Sequence, residues 1–183
     1  MIVKQIIFSL LLIFIVFFSL RVIFGLLVFM FKKDTSAMYV PSFNRHIRLM
    51  RDHLQLLRWK KLVDLWCGDG KMMRFFDREF WLQCDGYEIQ YFPHLYGKIL
   101  NILLWYPDLK LLKKDFLLAD IHTYDYIYTY LLPQQMASIE SRMFKNMKPD
   151  AIIISNSFQF VSHKPYEIIK DAKGKPSIFL YKK

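Results

Sequence analysis

Apolar residues follow two different patterns along the chain. Over residues 6–31 almost every position is apolar, and the exceptions are Ser9, Ser19, Arg21 and Gly25. From about residue 39 onward, short apolar runs alternate with charged and polar positions. The first pattern predicts a membrane-spanning helix, and the second predicts a globular domain. We therefore expect an anchor over residues 1–33, a junction and helix over 34–60, and a larger domain over 61–183.

The apolar segment is long enough to cross a bilayer. Its twenty-six residues extend about 39 Å as a helix, whereas the hydrocarbon core is about 30 Å thick. A cleaved signal peptide is the alternative, but its apolar region is about 7–15 residues long and ends at a small-residue cleavage site. No such site follows here, which favours an uncleaved anchor. Arg21 either marks the inner end of the span or snorkels from a longer, tilted helix.

Charges around this segment predict its orientation. Lys4 is the only basic residue before it, whereas basic residues follow it closely at Lys32, Lys33, Arg45, Arg48 and Arg51. Positive charge is retained on the cytoplasmic side of a membrane. We therefore expect a single-pass membrane protein whose larger domain is cytoplasmic.

Strands and helices alternate in the rest of the chain. Helical spacing of apolar residues predicts a helix from Ser42, its expected N-cap, to about Leu57. The predicted strands cover residues 61–66, 82–89, 109–113, 124–131 and 151–157, with a closing hairpin at 166–170 and 177–181. This order predicts an α/β fold with a doubly wound, mostly parallel seven-stranded sheet. The hairpin predicts an antiparallel edge strand.

Composition narrows the set of partners. The net charge of +10 would suit nucleic acid or an anionic membrane surface. The chain is also rich in Ile, Lys, Phe and Tyr and poor in Gly, as in proteins from AT-rich genomes, so a nucleic-acid partner is not predicted. Cys67 and Cys84 fit a reducing compartment without disulfides. No metal site is predicted.

The turn after the first predicted strand is the first candidate for chemistry. It reads Asp64-Leu-Trp-Cys-Gly-Asp-Gly. Gly68 and Gly70 permit a tight turn that a ligand can approach closely. The N–H groups at the start of the following helix can bind a carboxylate or phosphate. The alternative is an ordinary structural turn between strand and helix.

Two further features follow the next two strands, at the sheet edge where such folds bind ligands. Glu88 comes twenty residues after Gly68, at the spacing of an acid that accepts hydrogen bonds from ribose hydroxyls. Asp115 and Phe116 suit an adenine amino group and its ring face. Their structural alternatives are a solvated charge for Glu88 and a helix N-cap beside a core phenylalanine. The coincidence of the three features favours a nucleoside cofactor.

With these motifs the sequence resembles the class I methyltransferases. More narrowly, it resembles the small membrane-anchored protein-lysine methyltransferases of the ATP synthase c-subunit and adenine nucleotide translocase type, with their prokaryotic relatives. Trp66 departs from the pattern, because it stands where the family usually has its first glycine. The matching segments, in chain order, are residues 39–42, 64–70, 86–89, 115–116, 130–133, 147–150 and 165–181.

The resemblance implies a Rossmann-like methyltransferase fold and S-adenosyl-L-methionine as cofactor. It implies that the acceptor is a lysine of a membrane protein, with Tyr130 and Tyr39 on the acceptor side. The alternatives are a lipid or small-molecule acceptor and a non-catalytic nucleoside-binding scaffold at the membrane. A nicotinamide dehydrogenase is disfavoured because the G-x-G-x-x-G pattern is missing. The implied cofactor-binding residues are Asp64, Cys67, Gly68, Gly70, Glu88, Asp115 and Phe116.

Overall fold

The computed structural model describes residues 2–30 and 42–183. The chain divides into two compact units, Met1–Met38 and Tyr39–Lys183. The described part of the first unit is one helix, α1 (Ile2–Met30). Within it, the stretch Ile7–Gly25 has a mean hydropathy of 2.8 and is long and apolar enough, by length and composition, to cross a membrane.

The second unit is built on a seven-stranded sheet. The strand order is β3-β2-β1-β4-β5-β7-β6. Strands β1 to β5 are parallel, and β7 runs antiparallel to both of its neighbours. The predicted fold class is confirmed. The strands are β1 (Lys61–Asp64), β2 (Gln83–Tyr87), β3 (Lys110–Leu112), β4 (Tyr126–Thr129), β5 (Ile152–Asn156), β6 (Glu167–Lys170) and β7 (Pro176–Tyr181).

Helices cover both faces of this sheet, and most of them connect successive parallel strands. Two short 3₁₀ helices, Phe116–Leu118 and Ile121–Thr123, lie between β3 and β4. The α-helices are α2 (Asn44–His53), α3 (Lys71–Phe80), α4 (Tyr91–Leu103) and α5 (Pro133–Asn146).

Successive residues of the strands supply two separate core layers. Leu62 packs with α2 and α3, whereas its neighbour Val63 packs with α5 on the other face. This follows from the pleat, because consecutive side chains of a strand point to opposite faces. Beyond their first residue, the central strands β1, β4 and β5 are therefore buried on both faces, and each ends in a polar residue.

Two local predictions are wrong. The antiparallel strand is not at the edge, because β7 inserts between β5 and β6. Five of its six residues are buried, whereas β6 has one buried residue in four, so the more apolar strand takes the inner position. Ser42 is not the N-cap of α2. That position is Phe43, which makes no side-chain capping hydrogen bond, and the Ser42 hydroxyl lies 3.3 Å from the Tyr128 hydroxyl.

Candidate active site

The predicted site residues that the structure describes lie beyond the carboxyl ends of four adjacent strands. Asp64 is the last residue of β1, and Glu88 follows β2 directly. Asp115 comes shortly after β3, and Tyr130 follows β4. Because these strands are parallel neighbours, their carboxyl ends meet at one edge of the sheet. Tyr39 lies outside the described residues.

The loop after β1 turns sharply into α3. Gly68 and Gly70 have φ angles of +56° and +77°, a left-handed conformation that favours glycine. The Gly70 nitrogen donates to the Cys67 carbonyl at 2.8 Å, and the Lys71 nitrogen donates to Asp69 Oδ1 at 3.0 Å. These bonds close the turn and begin the helix.

Glu88 joins this loop to the end of β2. Its Oε2 atom accepts a hydrogen bond from the Gly68 nitrogen at 3.0 Å, and its Oε1 atom accepts one from the Gln90 nitrogen at 2.6 Å. The residue is 1% exposed. Burial raises the pKa of its carboxyl to about 7, although the backbone hydrogen bonds act in the opposite direction. Glu88 is therefore a buried carboxyl that titrates near neutral pH.

Asp64 is a second buried carboxyl, at the end of the neighbouring strand. It is 2% exposed, and its Oδ1 atom accepts a hydrogen bond from the Trp66 nitrogen at 3.1 Å. Burial raises its pKa to about 7, the Trp66 hydrogen bond lowers it, and the charge of Glu88 raises it further. Loss of the proton from either carboxyl is therefore easier when a hydrogen-bond donor or a positive charge enters the site.

Cys67 has a packing contact that explains a glycine of β2. A Cβ atom on Gly86 would lie 2.6 Å from Cys67 Cβ and 2.3 Å from Met73 Sδ, so only glycine fits there. Burial raises the pKa of the Cys67 thiol well above its ordinary value, which keeps it protonated and unreactive at neutral pH. A direct role of Cys67 in cofactor binding stays a prediction.

Two aromatic residues that follow β1 and β3 pack against each other and against the core. The ring centroids of Trp66 and Phe116 are 5.5 Å apart, with the planes tilted by 45°. Among the residues that the structure describes, the indole nitrogen of Trp66 is buried without a hydrogen-bond partner. Asp115 Oδ1 accepts a hydrogen bond from the Leu117 nitrogen at 2.8 Å and caps the first 3₁₀ helix. Asp115 therefore has the helix-capping role that the sequence offered as its structural alternative. A contact between Asp115 and adenine stays a prediction.

A second aromatic pair lies beyond β4 and β5. Tyr130 stacks on Phe158, with centroids 6.4 Å apart and planes within 20° of parallel. Two residues earlier, within β4, the Tyr128 hydroxyl is buried and accepts a hydrogen bond from Asn156 Nδ2 at 2.9 Å. Ser157, with a φ of +71°, lies between Asn156 and Phe158 and redirects the chain. Phe158 could not be found from a local pattern, because its partner Tyr130 is 28 positions away.

Other residues that shape the site were also missed. The Arg74 Nη1 atom donates to the Asp69 carbonyl at 2.7 Å and to Asn101 Oδ1 at 2.8 Å. It thereby holds the loop after β1 against α4. A Cβ atom on Gly97 would lie 2.7 Å from the Asp69 carbonyl oxygen. An isolated glycine within a helical pattern is a signal of close packing, and Gly97 could have been found in this way.

The described side chains therefore offer binding and orientation. They comprise two buried carboxyls, a left-handed glycine turn and aromatic walls. Within residues 2–30 and 42–183, no group of three or more His, Cys, Asp and Glu side chains is arranged to hold a metal ion.

Comparison with known families identifies this region. The family model described as "ANTKMT methyltransferase domain" matches residues 64–167, more than half of the chain. The match begins at Asp64 and extends through the ends of β1 to β5 into β6. No curated protein matches the sequence.

Solved structures share the fold at low sequence identity. An RNA methyltransferase from Salinibacter ruber, in complex with S-adenosyl-L-homocysteine, superposes with a TM-score of 0.70 at 20% identity, over 78% of this chain and 93% of that one. A methyltransferase from Geobacter sulfurreducens gives a TM-score of 0.57 at 14% identity, over 75% and 58% of the two chains. A variant of MtNAS in complex with S-adenosylmethionine gives 0.65 at 12% identity, over 76% and 62%.

Proposed function

The chain belongs to the ANTKMT methyltransferase domain family, and we propose that it methylates a lysine side chain of an integral membrane protein. It is an S-adenosylmethionine-dependent methyltransferase. To this activity the proposal adds a lysine acceptor, a membrane location and roles for individual residues. The lysine acceptor is supported by the family match and the membrane location by α1. The cofactor site is supported by the contact between Glu88 and Gly68, which joins a buried carboxyl to a glycine turn.

The residues at the ends of β1 and β2 fit the cofactor. A ribose offers two hydroxyl donors, and the buried Glu88 carboxyl offers acceptor oxygens at the spacing that nucleoside-binding folds use. The left-handed Gly68 has no side chain to block a ligand that approaches the backbone, whereas a Cβ atom on Gly70 would lie 3.2 Å from Leu111 and 3.3 Å from Arg74. S-adenosylmethionine supplies a methyl group activated by its sulfonium sulfur.

Each group in the chain would contribute binding or orientation. We assign the ribose hydroxyls to Glu88 and the adenine to Asp115 and Phe116. Asp64 and the turn at Cys67, Gly68 and Gly70 complete the cofactor site. The indole N–H of Trp66 is buried without a hydrogen-bond partner among the described residues, and we infer that an acceptor atom of the cofactor would satisfy it. Trp66 would thus replace the usual glycine with a hydrogen-bond donor.

The acceptor lysine must lose its proton before it can attack. A lysine in water has a pKa of about 10.4, and desolvation lowers it. The stacked rings of Tyr130 and Phe158 provide an apolar surface against which the amine would be desolvated. The same faces attract a methylated ammonium product through cation–π contacts. Holding the amine in line with the methyl group accounts for much of the expected rate acceleration. Tyr39 is the second candidate on the acceptor side.

The apolar helix α1 supports a membrane acceptor. Its Ile7–Gly25 stretch has the length and hydropathy of a membrane span, and basic residues follow it in the sequence. An anchor of this kind would confine the enzyme to acceptors at the membrane, with the catalytic domain on the cytoplasmic side.

Transfer of labelled methyl groups tests this proposal. Full-length protein in membranes of its host is incubated with methyl-labelled S-adenosylmethionine, and proteins and lipids are then extracted separately. We expect the label as methyl-lysine after acid hydrolysis of the membrane-protein fraction. Membranes that contain the Glu88→Ala variant are the control and should incorporate much less. Label in the lipid extract, with none in protein, would contradict a lysine acceptor.

A further inference from the structure

Helix α4 turns its polar and small residues inward and its large apolar residues outward. The buried residues are Pro93, His94, Gly97 and Asn101. The opposite side carries Leu95, Ile99, Ile102 and Leu103, which are all exposed and recur at the spacing of one helical face. We call these four residues the α4 apolar face. This is the reverse of the usual amphipathic helix of a globular protein.

The inward residues are explained by the active site. Gly97 allows α4 to approach the Asp69 carbonyl and Leu111. Asn101 accepts a hydrogen bond from Arg74. The His94 Nε2 atom lies 3.1 Å from the Leu111 carbonyl oxygen, and since a carbonyl only accepts, this nitrogen donates. Large apolar side chains on the inner side of α4 would destroy these contacts, so that side carries small and polar residues instead.

No contact within the domain explains why the outward residues of α4 are large and apolar. Ile102 is 77% exposed and Leu103 is 68% exposed. The surface continues past the end of the helix to Trp105, which is 87% exposed. Contiguous exposed apolar surface of this kind marks an interaction site or a membrane contact.

The charges beside this surface are mainly positive. No Asp or Glu occurs in residues 91–107, and the first acid after them is Asp108. Lys98 lines one surface pocket together with Ile102 and Trp105, and Lys113, after β3, is exposed. Lys113 also lies 5.2 Å above the ring of Tyr91. Basic residues beside an apolar surface attract anionic lipid head groups, and tryptophan is enriched at the membrane–water interface.

We propose that the α4 apolar face, with Trp105, lies in the interfacial region of a bilayer that contains anionic lipid. The inference rests on the proposed membrane location and adds a second, peripheral contact made by the catalytic domain itself. It is favoured over a protein partner by the mainly positive charge of this side and by the length and hydropathy of α1, which suit a membrane span. Because α4 leads from the carboxyl end of β2 to the amino end of β3, this contact would run along the side of the domain from the cofactor edge of the sheet toward its opposite edge.

Spin labels on the full-length protein test the contact. The variant Leu103→Cys is labelled and reconstituted into vesicles of phosphatidylcholine and phosphatidylglycerol, with Ile99→Cys as a second site. The matched control is Ser138→Cys, an exposed position on α5, which packs on the opposite face of the sheet. Wild-type protein is the labelling blank, since Cys67 and Cys84 are buried. Labels at 99 and 103 should be accessible to lipid-soluble oxygen and shielded from a water-soluble nickel complex, and the label at 138 should show the reverse.

Other outcomes would overturn the inference and leave the anchor intact. If the protein stays with the vesicles while the labels at 99, 103 and 138 are equally exposed to the nickel complex, α1 anchors the chain and α4 does not touch the bilayer. A short distance between labels at 103 in two chains would mean that a second copy covers the face. The double variant Lys98→Glu and Lys113→Glu should raise nickel access at position 103, and unchanged nickel access would show that anionic lipid does not contribute to the contact.

Discussion

The Oε2 atom of Glu88 lies 3.0 Å from the backbone nitrogen of Gly68, twenty residues earlier in the chain. The contact joins the loop after β1 to the end of β2 at the sheet edge where the other predicted site residues lie. It also fixes the carboxyl in a buried position, where each hydrogen bond to it has a large effect on binding. Cofactor affinity, its dependence on pH and the pH dependence of folding stability are all expected to depend on this carboxyl.

Replacing Glu88 should weaken cofactor binding. In Glu88→Ala we expect a loss of about 1.5–3 kcal/mol in the free energy of S-adenosylmethionine binding, the magnitude of hydrogen bonds to a charged group. Titration calorimetry on folded protein measures it. Glu167→Ala, at an exposed position of β6, is the matched control and should bind as wild type does.

Gly68→Val should bind more weakly still, because its side chain would occupy the space that the cofactor approaches. Wild-type affinity in both site variants would show that the cofactor lies elsewhere.

Cofactor affinity should rise with pH through about 7. Burial raises the pKa of Glu88 from its ordinary value near 4.5 to about 7, and ribose hydroxyls donate to the ionised form. Binding therefore releases a proton at lower pH and is favoured as the pH increases. Calorimetry at about pH 6 and about pH 8 should show this difference, and Glu88→Gln should reduce it. A pH dependence that is equally steep in Glu88→Gln would assign it to another group, such as Asp64.

The same raised pKa affects folding stability without cofactor. Between about pH 4.5 and about pH 7, the folded chain still holds a proton on Glu88, whereas the unfolded chain has already released it. The stability that this group contributes is therefore complete below that range and is lost as the pH rises through it. Asp64, whose pKa is also raised to about 7, adds a contribution of the same sign.

The sequence predicted the sheet and most of its connections because the relevant signals are local. Apolar runs of strand length, each followed by a helical pattern, are read within a window of a few residues. The structure brings the predicted site residues Asp64, Gly68 and Glu88 together because parallel strands bring their carboxyl ends together. Their proximity could therefore be predicted from the strand order, the glycine turn and the spacing of Glu88 from Gly68, and their role in cofactor binding stays a prediction.

The features that the sequence did not predict depend on long-range packing. The inner position of β7 depends on its greater burial compared with β6. The contact of Arg74 with Asn101 joins residues 27 positions apart, and the stacking of Tyr130 on Phe158 joins residues 28 positions apart. No local pattern encodes such pairs. The inverted α4 could have been suspected from its apolar composition, but its orientation follows only from the packing of Gly97.

Gly97→Ala should destabilise the domain although alanine favours helices. Helix propensity alone would make alanine about 1 kcal/mol more favourable than glycine. The added Cβ atom would instead lie 2.7 Å from the Asp69 carbonyl oxygen and 2.5 Å from Leu111 Cδ2, and overpacking of this kind costs about 1–3 kcal/mol. Chemical denaturation of the full-length protein in detergent measures the change, and Ser138→Ala on α5 is the control. A stabilised Gly97→Ala variant would contradict the close approach of α4 to the loop.

The orientation of the chain is open to a protease test. If residues 42–183 are cytoplasmic, protease added outside intact cells should leave them uncut, because the membrane shields them. The same protease should digest them after the cells are permeabilised, which serves as the control. The protein should also fractionate with membranes through α1. Digestion in intact cells would overturn the assigned orientation.

Tyr130 should affect turnover much more than cofactor affinity. It follows β4 and stacks on Phe158, on the side of the site assigned to the acceptor. Pro133 restricts Leu132 to extended conformations, and Leu132 is extended in the structure, so the backbone after Tyr130 is fixed. In Tyr130→Ala the aromatic surface that desolvates the amine would be lost. We expect turnover to fall about 10-fold or more, which corresponds to about 1.4 kcal/mol in the activation barrier. Cofactor affinity should stay within about 0.5 kcal/mol.

Tyr130→Phe separates the ring from its hydroxyl. The phenylalanine keeps the stacking on Phe158, so near-wild-type turnover would assign the effect to the aromatic surface. Turnover as low as that of Tyr130→Ala would assign it to the hydroxyl. Labelled methyl transfer into the membrane-protein fraction measures turnover for both variants, and calorimetry measures cofactor binding on the same preparations. If Tyr130→Ala incorporates label as fast as wild type, Tyr130 does not shape the acceptor site. If it loses cofactor affinity in proportion to turnover, the residue belongs to the cofactor pocket instead, and the acceptor must approach from another side.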